Sequence, residues 1–120
     1  MSAARRIIPI LIEEQVIFLG GSVRVSPFTP AHTDAIGENA LKTMGTANGV
    51  LMANHGVLVC GRSMDHAVKM AELVEKLAWI HYGASQLGGT NEISGSACSR
   101  FLEVFEEDFA THSKDFAECI

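Results

Sequence analysis

Three cysteines among 120 residues are too few, and odd in number, for a disulfide-stapled scaffold. Three prolines and eleven glycines fall well short of a collagen-like or low-complexity composition. With 19% charged and 48% hydrophobic residues, the chain lacks the polar excess that keeps a disordered segment unfolded. Basic residues are scarce: nine stand against fourteen acids, a formal charge of −5, and Arg5-Arg6 is the only adjacent basic pair. A groove that follows nucleic-acid phosphates needs clustered Lys and Arg, so no nucleic-acid partner is expected. Long apolar runs are missing as well. Val50–Ala53 and Val57–Cys60 fall far below the roughly 20 residues of a membrane span, and no membrane partner is expected. Pro9, Glu13 and Glu14 break the apolar run a signal peptide would need, so the expected location is cytoplasmic, with Cys60, Cys98 and Cys119 as free thiols. Cys60, inside an apolar run, reads as core.

What remains is enough chain for one domain, able to bury roughly two-thirds of its unfolded surface. Ile7–Ile12 is apolar around Pro9 and suits an edge strand. Glu13-Glu14-Gln15 followed by Val16, Ile17 and Leu19 predicts a short helix stopped by Gly20-Gly21, and its two glutamates read as a solvated helix start. Ser22–Val25 alternates as a short strand. Thr33-Asp34 caps a helix with Ile36, Ala40, Leu41 and Met44 on its apolar side. Val50–Ala53 and Val57–Cys60 are two β-rich runs, read as a hairpin or as one bulged strand, in a sheet buried on both faces.

Ser63 then starts a long helix. Ala67, Met70, Ala71, Val74, Leu77, Ala78, His81, Ala84 and Leu87 fall on one stripe, and Glu72 and Lys76 form an i,i+4 pair. Gly88-Gly89 closes it. A last helix spans Ala97–Phe109, with Phe101, Leu102, Phe105 and Phe109 on one side. His66 and His112 read as solvated, and His81 as a satisfied core or interface histidine. This order of elements implies an α/β or α+β fold.

The tripeptide Asn54-His55-Gly56 interrupts two apolar strands. Buried polar residues cost stability there unless they have a partner or a task. An imidazole is the commonest metal ligand, and the glycine permits close approach of a ligand or backbone. A catalytic zinc takes about three protein ligands, however, and this is one histidine. On the residues alone, a hydrogen-bonded histidine at a hairpin tip is the stronger reading.

The run Val50-Leu51-Met52-Ala53-Asn54-His55-Gly56-Val57-Leu58-Val59 resembles the strand–Asn-His-Gly–strand signature of the class II aldolase/adducin family, which includes fuculose-phosphate aldolase and ribulose-phosphate 4-epimerase. The resemblance extends upstream through Ile8-Pro9-Ile10-Leu11 and Gly20-Gly21-Ser22-Val23-Arg24-Val25-Ser26-Pro27-Phe28, similar to the family's "I-P-x-L … G-G-x-V-x-V-x-P-Y". It extends downstream through Asp65-His66-Ala67 and the helix from Ala71-Glu72-Leu73-Val74-Glu75 to Leu87-Gly88. It covers about Arg5 to Gly88. The family holds its metal with an upstream His-x-His and the histidine of Asn-His-Gly; here only His55 matches, and no His-x-His occurs. The family's acid/base glutamate and phosphate-binding loops also lie upstream. A tyrosine of some aldolases falls near Glu13, so its role does not carry over, and His32 stands where many members have glycine.

The resemblance therefore implies that residues 1–120 are the C-terminal portion of a class II aldolase/adducin-like domain. The implied fold is an incomplete α/β three-layer αβα sandwich with a mainly antiparallel central sheet. In the intact domain, it implies a zinc (or other divalent metal) lyase that cleaves a C–C bond of a sugar-phosphate substrate, with His55 as metal ligand and a homo-oligomer, a tetramer in the family. The metal would stabilise an enediolate as a Lewis acid. Two alternatives share the resemblance: a 4-epimerase or dehydratase with the same metal, or an adducin-like assembly module without catalysis. Missing strands would expose sheet edges, so the chain alone is expected to associate.

Overall fold

A computed structural model describes residues 1–118, with side chains through Thr111, so the expectations for the His112 side chain and for Cys119 lie outside the described residues. Helix α1, Glu13–Leu19, begins with two glutamates that suit the positive end of its dipole and ends where Gly20, at φ +84°, donates its N–H to Val16 O. The strand expected at Ile7–Ile12 is reduced to one antiparallel bridge, Ile8 to Val23. The reason is Gln15. Its fully buried amide donates to Ile8 O and Pro9 O and accepts from Leu11 N–H, so beyond the Ile8–Val23 bridge much of this backbone bonds to a side chain and not to a strand.

Strand β1, Arg24–Ser26, leads through the Pro27–Pro30 break to helix α2, Asp34–Met44. Strand β2, Gly49–Met52, pairs parallel with β1, Arg24 opposite Val50. The α2 crossover is what a parallel pair requires. Strand β3, Gly56–Val59, returns antiparallel on β2, Gly49 opposite Val59 and Met52 opposite Gly56. The sheet is therefore mixed, in the order β1-β2-β3, where the resemblance implied a mainly antiparallel one. The two apolar runs form a hairpin and not one bulged strand.

Alternation along β2 sends successive side chains to different helices. Val50 packs with Ala40 and Met44 of α2, whereas Leu51 joins Ile8, Leu19, Val23, Met70, Val74 and Leu77. Burial on both faces thus holds for β2. It fails for β3, an edge strand whose Val57 is exposed, and Cys60 just beyond it is exposed and not core.

Helix α3, Met64–Gln86, is capped by Ser63 Oγ, which accepts from His66 N–H. Met70, Val74 and Leu77 are its buried face, but Leu87 lies past the helix end at 91% exposure. Lys76 meets Glu14 of α1 at 2.8 Å instead of pairing with Glu72. Helix α4, Gly95–Glu118, is longer than the expected Ala97–Phe109; Phe105 and Cys98 are buried, while Leu102 and Phe109 are exposed. Among the described residues no helix is long and apolar enough to cross a membrane.

Phe105 docks α4 on the α1 C-cap so tightly that a Cβ at Gly20 would lie 2.7 Å from Phe105 Cε1. Gly20→Ala therefore combines a left-handed backbone with a clash and should cost about 2 kcal/mol or more. Gly37→Ala, inside α2 with open space around it, should instead be stabilising by about 0.5–1 kcal/mol. Urea midpoints of the two variants check this contrast.

Candidate functional site

Met52 and Gly56 close the β-ladder, leaving Ala53, Asn54 and His55 as the connecting turn. The turn tightens through His55 N–H to Met52 O at 3.0 Å, and Asn54 takes φ +61°. Asparagine tolerates that left-handed conformation better than other non-glycine residues, which accounts for its place in the tripeptide. His32 also sits at positive φ, +62°. The glycine that the resemblance has at this position would adopt that backbone freely.

Two other segments converge on the turn. From the Pro27–Pro30 loop, Thr29 O lies 2.8 Å from His55 Nε2, and the Phe28 ring stacks on the imidazole with centroids 5.6 Å apart and planes 2° apart. Thr29 is itself held, its Oγ1 donating to Pro27 O and accepting from Asn39 Nδ2 of α2. From the N-terminal segment, Ser2 O accepts Asn54 N–H, and Arg5 Nε–H donates to Asn54 Oδ1 at 2.9 Å. The Arg5 guanidinium carbon lies 5.7 Å from the Phe28 ring centre, within cation–π range.

A carbonyl only accepts, so Nε2 of His55 carries the hydrogen and the lone pair of the neutral ring is on Nδ1. A metal-binding histidine commonly has one nitrogen fixed by a carbonyl in this way and the other free. The rest of a metal site is not here: among the described residues no three His, Cys, Asp or Glu side chains come together. The residues present do not by themselves fit a catalytic zinc.

Of the histidines singled out from sequence, only His55 lies in this cluster. His66 sits in the first turn of α3, its Nδ1 accepting from Arg62 N–H at 3.2 Å. His81 is on the buried side of α3, but its Nδ1 has no hydrogen-bond partner among the described residues, contrary to the satisfied histidine expected. Glu13 and Glu14 are an exposed helix start, as read. Sequence reasoning missed Arg5, Phe28 and Thr29. Phe28 had a signal, the aromatic after Pro27 in the extended motif; Arg5 had none.

The model of the Class II Aldolase and Adducin N-terminal domain matches residues 1–82, more than half of the chain. The chain belongs to this family. It is 28% identical over 87 residues to a 5-methylthioribulose-1-phosphate/5-deoxyribulose-1-phosphate aldolase of Rhodospirillum rubrum, covering 72% of the chain and 39% of the relative. A rhamnulose-1-phosphate aldolase of Listeria welshimeri is 34% identical over 71 residues, 59% of the chain and 26% of the relative. A 5-deoxy-D-ribulose 1-phosphate aldolase of Bacillus thuringiensis is 30% identical over 91 residues, 76% and 43%. The chain thus spans less than half the length of each of these relatives. Among solved structures, an L-fuculose 1-phosphate aldolase superposes with TM-score 0.81 at 27% identity, over 88% of this chain and 49% of that one. YgbL from Escherichia coli, at TM-score 0.67 and 19% identity over 78% of this chain and 44% of that one, is similar in fold alone. The fold is therefore α/β, a small three-stranded sheet with four helices, like that of the fuculose aldolase.

The Thr29 clasp gives a direct prediction. Long-range 15N NMR of the imidazoles should find neutral His55 as the Nε2–H tautomer, and a dominant Nδ1–H form would contradict the geometry.

Proposed function

We propose that this chain supplies the His55-bearing portion of a class II aldolase-type lyase that cleaves a C–C bond of a sugar phosphate. The observation that carries the reading is the orientation of His55 at the tip of a rigid hairpin, with Nε2–H fixed on Thr29 O. Family membership and the sugar-phosphate aldolases among its relatives support the substrate class. In this reading His55 is one ligand of a divalent metal, zinc by preference, and the other ligands and the acid/base come from outside residues 1–120. Those residues would also complete a three-layer αβα sandwich, of which 1–120 is the C-terminal portion.

The contribution of the chain itself is to hold and orient. Thr29 O and Phe28 fix the imidazole plane, and Ser2 O and Arg5 fix the strained Asn54 beside it. A preset ligand loses less orientational freedom when it binds. Assembly into a homo-oligomer in the cytoplasm is part of the proposal. Trp79, 68% exposed, and Tyr82 in edge contact with it leave an apolar patch on α3 that an intact domain or a second copy would cover. A second reading, an assembly module without catalysis, draws its support from the lack of a three-ligand cluster among the described residues.

Zinc titration of the 120-residue chain separates ligands within it from ligands outside it. Excess zinc should leave the Tm of this chain unchanged within about 1 °C, whereas a native-state site filled to 100 Kd would add about 2.7 kcal/mol and several degrees. A rise abolished by His55→Ala would show that the chain, alone or in copies, holds metal without help, and would overturn the reading that the other ligands lie elsewhere.

A further inference from the structure

The chain carries a net charge of −5, yet the segments that meet at the hairpin tip contain no acid of their own. No Asp or Glu occurs in the three segments that meet at the hairpin tip, residues 1–6, 27–30 and 53–55, nor anywhere in 15–33 or 39–64. The two ion pairs among the described residues, Arg62–Asp108 and Lys76–Glu14, are elsewhere. The tip itself holds Arg5, Arg6 and His55, all exposed. Arg5 and Arg6 give this tip a local positive charge within an acidic protein, which favours an anion there.

Within that tip, Arg5 is set in place. Its Nε–H is committed to Asn54 Oδ1, its plane lies by the Phe28 ring, and its backbone is left-handed at φ +51°. Among the described residues its side chain has no carboxylate within 4.0 Å and makes no other hydrogen bond, so the four N–H groups of its two Nη atoms stay available. A guanidinium fixed by Nε and by an aromatic face is a preformed fork for two oxygens of one anion. The neighbouring member of the stack is the imidazole of His55, through Phe28.

We propose that Arg5 is the anchor of an oxyanion-binding site at this hairpin tip, taking a phosphomonoester dianion through its Nη nitrogens beside His55. The identity of the anion rests on the sugar-phosphate reading above; the resemblance puts phosphate-binding loops upstream, and Arg5 adds a contact from within this chain.

The test is a titration of the metal-free, 15N-labelled 120-residue chain with inorganic phosphate at constant ionic strength. Saturable shifts should appear at the Arg5 Nε–H and at the Phe28, Asn54 and His55 amides. Arg5→Gln should weaken the affinity about tenfold or more. Arg5→Lys, which keeps the charge and loses the fork, should fall between, and Lys69→Gln on α3 should bind like the parent. If Arg5→Gln loses its amide dispersion, Arg5→Lys carries the comparison. Equal shifts with chloride, or an affinity that neither Arg5 variant moves, would overturn the proposal. Because no metal is present, failure here leaves the lyase reading standing, and failure of the zinc experiment leaves this site standing.

Discussion

The hinge of this structure is the burial of strand β2 between unlike partners. Four residues, Gly49–Met52, have one parallel and one antiparallel neighbour and helices against both faces. Val50 and Leu51 are buried on opposite sides, so a one-residue slip would exchange the environments of both and of every ladder partner. Gly49 is closely surrounded as well, with Leu19, Val59 and Val74 side chains at 3.5–3.7 Å from where a Cβ would be, ordinary packing contact. This fixed register decides where the strand ends, and hence where Ala53, Asn54 and His55 project.

From that fixed end the tip is secured by short-range contacts to segments remote in sequence. His55 reaches Thr29 and Phe28, and Asn54 reaches Ser2 and Arg5. Most of these groups are exposed, so each contact contributes little to global stability, on the order of 1 kcal/mol. Their consequence is orientation. A left-handed asparagine with both its N–H and its amide oxygen bound cannot flip without losing two partners, and it sets the backbone from which the imidazole departs. The site is thus a rigid half-arrangement: one oriented imidazole and one free guanidinium fork, with no three-ligand metal cluster among the described residues.

The elements that the sequence made legible are those governed by local signals. Gly20 closing α1, Ser63 capping α3 and the apolar runs around Asn54-His55-Gly56 all stand where capping and alternation put them. Departures arise where long-range contacts decide. The Ile7–Ile12 run looked like a strand because nothing local reveals that Gln15 bonds its backbone. Cys60 and Leu87 looked buried by pattern, but one follows an edge strand and the other follows the end of a helix. Lys76 chose Glu14 across a helix pair over Glu72 along its own helix. In the site, His55 was legible through its motif, whereas Arg5 became visible only when folding brought residues 5, 28 and 54 together. The positive φ of His32 gives a physical meaning to the glycine of the family pattern.

In the proposed function, His55 serves a metal site finished by residues beyond 1–120. The most direct test of this is the intact mass and metal content of the protein isolated from its native source. A mass well above 12.9 kDa, together with bound divalent metal, is expected. A product of 12.9 kDa without metal would contradict it and leave this domain a binding or assembly role.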